Sequence, residues 1–372
     1  MQRPDRRPRR SETGLTIVGD DVLPAAAGAE AVPAVRDAMH AEGVASAGAG
    51  TSIVTAWLFA PDRDPTEVAI ADLPAHTVAG HFVWLDLSSY APQELHTVAD
   101  LLGLPSNAVR TALAPWRRPR LSVYPNHFFV SATVARPDFA AYKVHARELD
   151  LFIGRNLLVS AHKAPLPFAD HLRERVQHSS DLVPIDPAFL LYIFLDELLA
   201  YYEELERRLQ HEVESMEERA LRETTDTFLE DLLRFKRYAF ALTQLAGEHR
   251  EVFAAVLRPD FRWVAGEQVE ESFRDLEARL ARLLTALLAV REATNGALDI
   301  HVSHVAHRTN QVIKVLTMAS IILFLASVLI ALFGTSLQGI ATSGPLVFAV
   351  MVLSIVLSVG MTLLVFHRRG WL

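Results

Sequence analysis

The feature that most constrains this chain is an apolar run without any charge at residues 315–333. A helix of about 19 residues is ~28 Å long, which is enough to cross the hydrocarbon core of a bilayer. A second apolar run, residues 345–366, follows a short uncharged segment, residues 334–344. The pattern predicts two membrane-spanning helices joined by a short loop.

Basic residues mark the outer flanks of these two runs. Arg308 and Lys314 precede the first run, and Arg368 and Arg369 follow the second. Because cytoplasmic flanks of membrane helices are enriched in Lys and Arg, both chain ends are predicted to be cytoplasmic. The sequence therefore predicts a multi-pass protein of the cell (inner or plasma) membrane in contact with the lipid bilayer.

The hydroxyl side chains of the first run fall on one face of the predicted helix. At about 100° per residue, Thr317, Ser320, Ser327 and Thr335 lie within a sector of roughly 80°. A polar stripe on a membrane helix either packs against a neighbouring helix or lines a wet pathway. Two helices do not enclose such a pathway, so a pore would need several copies of the chain.

The charge balance and the absent motifs exclude several functions. The chain has 44 Asp and Glu against 36 Lys and Arg, a net charge of −8. This balance argues against a nucleic-acid partner and suits cations. Cysteine is absent, which excludes disulfides and thiolate metal sites. The chain also lacks a phosphate loop, a serine elbow and a HExxH helix, so no enzymatic activity is predicted.

The part of the chain that precedes the apolar runs changes character twice. Residues 1–50 are rich in Arg, Ala, Gly and Pro, which predicts a disordered extension. Residues 51–186 mix strand-like and helix-like segments, which predicts an α/β domain. After Pro187, apolar residues recur at steps of three and four, as in coiled-coil-like helices.

Three long helices are predicted from this periodicity. Helices at residues 188–221 and 228–257 would form an antiparallel hairpin, with Thr227 and Glu230 as a capping box for the second. A third helix starts near Glu267 and meets no stop signal before Gly334, so it is predicted to be a single helix of roughly 65 residues.

Acidic residues are concentrated on the first of these helices and on the turn that follows it. The favoured interpretation is a solvated helix face, and the alternative is a surface that concentrates cations near a channel mouth. These residues are Asp196, Glu197, Glu203, Glu204, Glu206, Glu212, Glu214, Glu217, Glu218 and Glu223.

Three histidines precede the first apolar run and invite comparison with a zinc site. His301, His304 and His307 are three residues apart, and this spacing can bring two imidazoles to one metal. However, His301 and His304 continue the apolar seam of the third helix. Packing between helices is therefore the favoured interpretation.

Several segments together resemble the CorA-type divalent-cation channel family. Residues 310–317 (NQVIKVLT) stand before the first apolar run, Gly334 stands after it, and residues 367–372 (HRRGWL) end the chain. Residues 84–86 (WLD) and 118–120 (RPR) resemble motifs of the family's N-terminal domain.

The resemblance implies a homopentameric funnel whose pore is lined by the first span. With this implication the polar stripe is interpreted as the pore face, and a ring of carboxylates would hold a hydrated cation. The ion-pathway residues are then Asp299, Asn310, Ile313, Leu316, Thr317, Ser320, Phe324 and Ser327.

Two family motifs differ in this chain. The family's Gly-Met-Asn signature at the outer mouth is replaced by Gly334, Thr335 and Ser336. In the family, an intracellular metal bridges two Asp residues of neighbouring subunits; Asp275 matches the first, and Thr111 stands at the position of the second. Asp275 is therefore a weak candidate for binding a regulatory metal.

The resemblance implies no tightly bound cofactor, and a divalent cation (Mg²⁺ or Zn²⁺) as transported ion and possible regulator. The expected function is a CorA-like channel or transporter for divalent metal cations, including Co²⁺ and Ni²⁺. Two alternatives stay open: a ZntB-like zinc transporter, and a non-conducting, membrane-anchored scaffold or sensor.

The predicted organisation is an α/β N-terminal cytoplasmic domain, long coiled-coil-like helices and two C-terminal transmembrane helices. Its segments are a disordered extension (1–50), an α/β domain (51–186), an acidic helical hairpin (187–265), a stalk helix that continues into the first span (266–333, membrane part 315–333), an external loop (334–344), a second span (345–366) and a basic tail (367–372).

Overall fold

The computed structural model describes residues 52–60, 65–115, 117–180, 185–261, 267–336 and 344–369. The predicted disordered extension and most of the external loop lie outside the described residues, as does the end of the basic tail. Within the described part, a mixed sheet with three short α-helices between its strands is followed in sequence by six further α-helices.

One seven-stranded sheet forms the centre of the N-terminal domain. Its strand order is β2-β1-β3-β7-β6-β5-β4, and only the β3–β7 pair is parallel. Six of these strands form from alternating or continuous apolar stretches of the sequence, as predicted, whereas the two-residue strand β2 is not predicted. The strands are β1 (Ile53–Phe59), β2 (Thr66–Glu67), β3 (Phe82–Ser88), β4 (Arg120–Val123), β5 (Phe128–Asp138), β6 (Lys143–Ile153) and β7 (Leu157–His162).

Three short helices cover one face of the sheet: α1 (Leu73–Val78), α2 (Pro92–Leu102) and α3 (Ser106–Leu113). Their apolar side chains pack on strand residues such as Phe129 and Phe152. The sequence predicts a short helix at residues 93–102, which corresponds to α2. It does not predict α1 or α3, because neither of these is long enough to show a helical period.

The other face of the sheet packs against longer helices. They are α4 (Ala169–Ser180) and α5 (Pro187–Ala220), whose Phe194 makes an edge-on contact with Trp84 of β3 at 5.8 Å between ring centres. Trp84 also donates its Nε1–H to Ser160, which in turn donates to the buried carboxylate of Asp86. The Trp-Leu-Asp motif thus contributes to the buried core between sheet and helices.

The second long helix differs from the prediction at both ends. It is divided into α6 (Asp226–Glu248) and α7 (Arg250–Ala255), with His249 between them. The side chain of Thr225 caps α6 by accepting a hydrogen bond from Phe228 N, so the predicted capping box at Thr227 is wrong. The predicted continuous helix at 228–257 is also wrong.

The third long helix, α8 (Glu267–Ser336), is a single helix of 70 residues, as predicted. At ~1.5 Å per residue it is ~105 Å long. Both α5 and α6 pack against α8 more extensively than against each other, so the predicted hairpin is one part of a three-helix unit. The predicted seam residues are all buried: Leu276, Leu280, Leu283, Leu287, Val290, Thr294 and Ala297.

The final helix, α9 (Gly344–Arg368), packs against the C-terminal part of α8. Among the described residues, two helices are long and apolar enough to cross a membrane, and their apolar windows lie in α8 and α9. At most 6% of each window is buried within the chain, which is the surface expected for helices that contact lipid or other subunits.

Candidate ion pathway

One side of the membrane part of α8 is occupied by α9. Met318 is buried there, and Ile322 and Leu329 are half-buried. The facing positions on α9 include Ser354 and Ser358, which are also half-buried and donate hydrogen bonds to carbonyls within their own helix. Small residues let two membrane helices approach closely, so this contact is a helix-packing face.

The opposite side of α8 is exposed in the single chain. It carries Ile313, Leu316, Ser320, Phe324 and Ser327, all of them predicted pathway residues. A shallow groove on this side is lined by Leu316, Thr317, Ser320, Ile321 and Phe324. The structure therefore groups these predicted residues on one surface and adds Ile321 at its edge.

The hydroxyls on this surface hydrogen-bond to their own helix. Ser320 Oγ donates to Leu316 O at 2.8 Å, and Ser327 Oγ donates to Leu323 O at 2.8 Å. Each hydroxyl keeps its acceptor lone pairs facing outward. It can therefore accept a hydrogen bond from water, including water bound to a cation.

The exposed surface continues below the membrane. Asp299 and Asn310 are exposed and lie on the side of α8 opposite the buried seam. Two further exposed residues lie on the same side: Val302, three residues after Asp299, and Glu292, seven residues before it. Glu292 is absent from the predicted pathway, although steps of three and four back from Asp299 lead to it.

The candidate regulatory residues have separate partners in the single chain. Asp275 is exposed and lies 3.9 Å from Arg282 on the same helix. Thr111 donates its hydroxyl hydrogen to Asn107 O and accepts a weak hydrogen bond from Arg120 at 3.3 Å. Thr111 has no charge to share with a divalent cation, so a site built on Asp275 would have one carboxylate.

The histidines divide between packing and exposure. His301 is buried, and its ring lies 5.2 Å from that of Phe228 on α6. His304 is half-buried and His307 is exposed. Across the described ranges, no group of three or more His, Cys, Asp or Glu side chains is arranged to hold a metal ion.

Several acidic residues of α5 are not on a solvated face, which corrects both interpretations of them. Asp196 and Glu197 are buried, and Arg279 of α8 donates to Asp196. Arg175 of α4 lies 2.5 Å from Asp196 and 2.7 Å from Glu197. Two arginines that are distant in sequence thus neutralise these carboxylates, because burial of an unpaired charge is costly.

The other acidic residues of α5 and its turn also differ from a uniform cation-attracting surface. Glu206 is buried, and burial raises its pKa. Glu203 pairs with Arg279 at 2.8 Å, and Glu223 pairs with Arg219 at 2.9 Å. These pairings leave fewer free carboxylates than the sequence suggests.

At the outer end of α8, the backbone of Gly334, Thr335 and Ser336 is helical. The signature position thus belongs to the same helix as the exposed surface. Gln338, which the sequence places nearby, lies outside the described residues.

Comparison with known proteins gives a consistent result. The chain is 21% identical to the cobalt/magnesium transport protein CorA of Thermotoga maritima over 297 residues, which cover 78% of this chain and 83% of that protein. The structure of the CorA magnesium transporter from Methanocaldococcus jannaschii matches with a TM-score of 0.72 at 18% identity, covering 87% of this chain and 100% of that chain.

The cytoplasmic domain of ZntB from Vibrio parahaemolyticus matches with a TM-score of 0.53 at 12% identity, covering 70% of this chain and 99% of that domain. This likeness concerns the fold alone. Because residues 79–368, well over half of the chain, match the family described as CorA-like Mg2+ transporter protein, this chain belongs to that family.

Proposed function

We propose that this chain forms a homopentameric channel in which α8 lines the path of a divalent cation. The broader part follows from the family: the chain is an inner-membrane transporter of divalent cations, with two C-terminal spans and a cytoplasmic N-terminal domain. The proposal adds the number of subunits, the surface that lines the path and the role of each ring of residues. It assigns no enzymatic role.

The observation that carries the proposal is the continuous free surface of α8. This helix uses one side to pack on α5 and α6 and, higher up, another to pack on α9. The remaining side exposes apolar residues even in its cytoplasmic part, where Leu288 is 48% and Val302 is 58% exposed. A strip of apolar side chains at coiled-coil spacing is usually covered by another helix, and copies of α8 around an axis would cover it.

The residues along this surface suggest a mechanism for ion passage. A ring of Asp299 carboxylates at the cytoplasmic end would attract a cation with its water shell. Apolar rings at Ile313, Leu316 and Phe324 would form constrictions that exclude water when closed. Rings of Ser320 and Ser327 between them would accept hydrogen bonds from the water around the ion.

The altered outer mouth is expected to weaken selectivity. Mg²⁺ loses its water reluctantly, so a mouth that holds the hydrated ion needs strong acceptors in a fixed ring. The side chains of Thr335 and Ser336 are shorter than an amide side chain, and their hydroxyls are weaker hydrogen-bond acceptors than an amide carbonyl. We therefore expect smaller differences in flux among divalent cations than an amide ring at this position would produce.

Two alternatives remain to be tested against this proposal. A zinc transporter would favour Zn²⁺ over Mg²⁺, and a scaffold or sensor would pass no ion. The deciding measurement is the uptake of Mg²⁺, Co²⁺, Ni²⁺ and Zn²⁺ into liposomes that contain the purified protein, with protein-free liposomes as control. Uptake of none of the four would contradict the channel, and uptake of Zn²⁺ alone would favour the zinc transporter.

A further inference from the structure

Two exposed arginines lie at the corner between α3 and β4, and neither has an acidic partner among the described residues. Arg110 Nη2 donates to Asn107 Oδ1 at 2.9 Å, and Arg120 Nη2 donates to Thr111 Oγ1 at 3.3 Å. Thr111 Oγ1 in turn donates to Asn107 O at 2.8 Å. Both guanidinium groups are thus attached to one turn of α3 through neutral groups alone. We call this surface the basic corner.

Other arginines near the sheet do have carboxylate partners. Arg117 donates to Asp150, and Arg279 donates to Asp196. A guanidinium group binds a carboxylate through paired hydrogen bonds and stays charged at any physiological pH. Two guanidinium groups on one surface repel each other unless an anion lies close to both. The basic corner therefore fits an acidic partner.

An exposed carboxylate lies near the start of α8. The side chain of Asp275 is 66% exposed, and its ion-pair partner Arg282, 3.9 Å away on the same helix, is also exposed. Phe273, two residues before Asp275, contacts Phe261, which in turn contacts Phe128 at the start of β5. Asp275 therefore lies at the level of the sheet and keeps most of its surface free for a second partner.

The basic corner and Asp275 are on opposite faces of the sheet. Leu121 packs in the core between the sheet and the long helices, so Arg120, its neighbour in β4, points to the face that α3 covers. Phe273 and Leu276, on either side of Asp275, belong to the core on the other face. The sheet thus separates Arg120 from Asp275 within one chain. In a ring, each contact joins two different surfaces of neighbouring copies, and these two surfaces have opposite charge.

We propose that Arg120, with Arg110 beside it, forms an ion pair with Asp275 of the neighbouring copy of this chain. This inference rests on the proposed function, because it requires a ring of subunits, and it concerns how that ring is held together outside the membrane. The guanidinium group supplies the positive charge at this contact, and Thr111 offers no carboxylate. The contact therefore needs no divalent cation, and cytoplasmic Mg²⁺ does not control it.

Because the chain has no cysteine, proximity is tested with introduced pairs. Full-length protein that carries both Arg120→Cys and Asp275→Cys is treated with a short bifunctional maleimide. A head-to-tail contact links each copy to the next, so covalent products larger than dimers should form. Either single variant has only half of the pair and should stay unlinked. Arg237→Cys combined with Asp275→Cys is the matched control, since Arg237 is an exposed arginine of α6, and it should also stay unlinked.

The result separates this contact from the ring itself. Val302 lies on the free surface of α8, so Val302→Cys reports whether copies associate there at all. Linking through Val302→Cys without linking through the Arg120 and Asp275 pair would overturn this contact and leave the ring intact. The absence of linking in both would overturn the two proposals together.

Exchange of the charges tests the ion pair. Arg120→Glu places like charges opposite each other and should weaken association, as should Asp275→Arg. An exposed ion pair contributes up to about fivefold at each contact, and the double exchange should restore that factor. Arg237→Glu should associate as the parent does. The measurement is dissociation of the detergent-solubilised oligomer on dilution, followed by size-exclusion chromatography. Parental dissociation in both single variants, or no recovery in the double exchange, would overturn the pair.

The same measurement identifies what occupies the basic corner. Removal of divalent cations with EDTA should leave the association of the parent unchanged. Arg120→Glu should regain association when Mg²⁺ is added, because the cation can lie between two carboxylates. Inorganic phosphate at constant ionic strength should have no effect on the parent. Dissociation of the parent in EDTA would overturn the proposal. A phosphate effect that Arg120→Glu removes would also overturn it, since the corner would then hold a free anion.

Discussion

At the scale of single residues, His249 shows how one side chain can interrupt a helix. Strand β4 pairs with β5 only as far as Ser131, so the next part of that edge is open. His249 Nε2 accepts a hydrogen bond from Thr133 N at 3.0 Å, and its Nδ1–H donates to Leu245 O. Tyr202 donates to Thr133 O, so side chains satisfy the open strand edge. The break between α6 and α7 lies at the residue that makes this contact.

This arrangement requires neutral His249 and therefore predicts a pH dependence of stability. Burial lowers the pKa of His249 to about 4, whereas an unfolded chain has the ordinary value of about 6.5. The stabilising contribution is complete above the unfolded pKa and is lost as the pH falls through the folded pKa. His249→Leu leaves Thr133 N–H without an acceptor, and it should lower the free energy of unfolding at neutral pH by about 1–3 kcal/mol.

The measurement is thermal unfolding of the detergent-solubilised protein across this pH range. Between about pH 6.5 and pH 4 the variant should lose less stability than the parent, because it has no imidazole to protonate. His307→Leu, which removes an exposed imidazole, is the control. It should leave the change of stability with pH the same as in the parent. Parallel curves for the parent and His249→Leu would show that His249 is not responsible.

At the scale of elements, the contact between α5 and α8 combines an apolar seam with a buried ionic group. Arg279 donates to Asp196 and to Glu203 on α5, and Arg175 of α4 contacts Asp196 from another side. The apolar seam sets the distance between the two helices. The ion pair forms only where Arg279 and Asp196 lie opposite each other. The pairing therefore orients the stalk helix relative to the N-terminal domain.

Removal of Arg279 should separate these two contributions. Arg279→Met keeps much of the side-chain volume but leaves Asp196 with one cationic partner, and breaking a buried pair costs about 3–5 kcal/mol. Because Arg175 remains, we expect the lower part of that range. Arg282→Met, in which a more exposed arginine one turn away is replaced, should change the free energy of unfolding by less than about 0.5 kcal/mol. Equal melting temperatures for the two variants would contradict this role of Arg279.

The same elements show what the sequence can and cannot predict. The length of α8 follows from an uninterrupted period of three and four, and the strands follow from local apolar patterns. The burial of Asp196 does not follow, because its partner Arg279 is 83 residues away in the chain. The break at His249 likewise depends on the position of β5 in three dimensions. The cap at Thr225 depends on the position of the turn between α5 and α6.

For the candidate ion path, periodicity predicts which residues share a face but not what covers that face. Ser320 and Ser327 lie on the exposed side of α8, and Ile322 and Leu329 lie toward α9, as the helical wheel suggests. Glu292 is not predicted, because the predicted polar stripe ends at Asp299, seven residues later in the chain. The number of subunits is a property of contacts between chains, and the free surface of α8 supports association without fixing that number.

At the scale of the whole molecule, the absence of cysteine makes self-association directly testable. A single cysteine introduced as Val302→Cys would lie on the free surface of α8, close to the same residue of neighbouring subunits. Mild oxidation should link chains into covalent dimers, and a pentamer should yield them with one unpaired subunit left over. Lys236→Cys, on an exposed part of α6, is the matched control and should link far less. The readout is non-reducing electrophoresis, and equal linking at both positions would contradict the proposed axis.

The last prediction concerns the path itself. In a symmetric oligomer one substitution alters a complete ring, so Ser327→Leu would replace every hydroxyl at that level with an apolar group, one turn from Phe324. Such a constriction should exclude water and reduce divalent-cation uptake to the background of protein-free liposomes. Leu329→Ile, on the side of α8 that packs against α9, keeps the volume and should retain most of the uptake.

Both variants are first compared with the parent for oligomeric state and melting temperature, so that a loss of uptake is not a loss of folding. Uptake is then measured at equal protein content in the liposomes. Ser327 Oγ already donates to Leu323 O. If this hydroxyl serves only the packing of the helix, its removal should leave ion passage intact. Parental uptake in Ser327→Leu would therefore identify the exposed surface as a helix contact, and the ion would have to cross elsewhere.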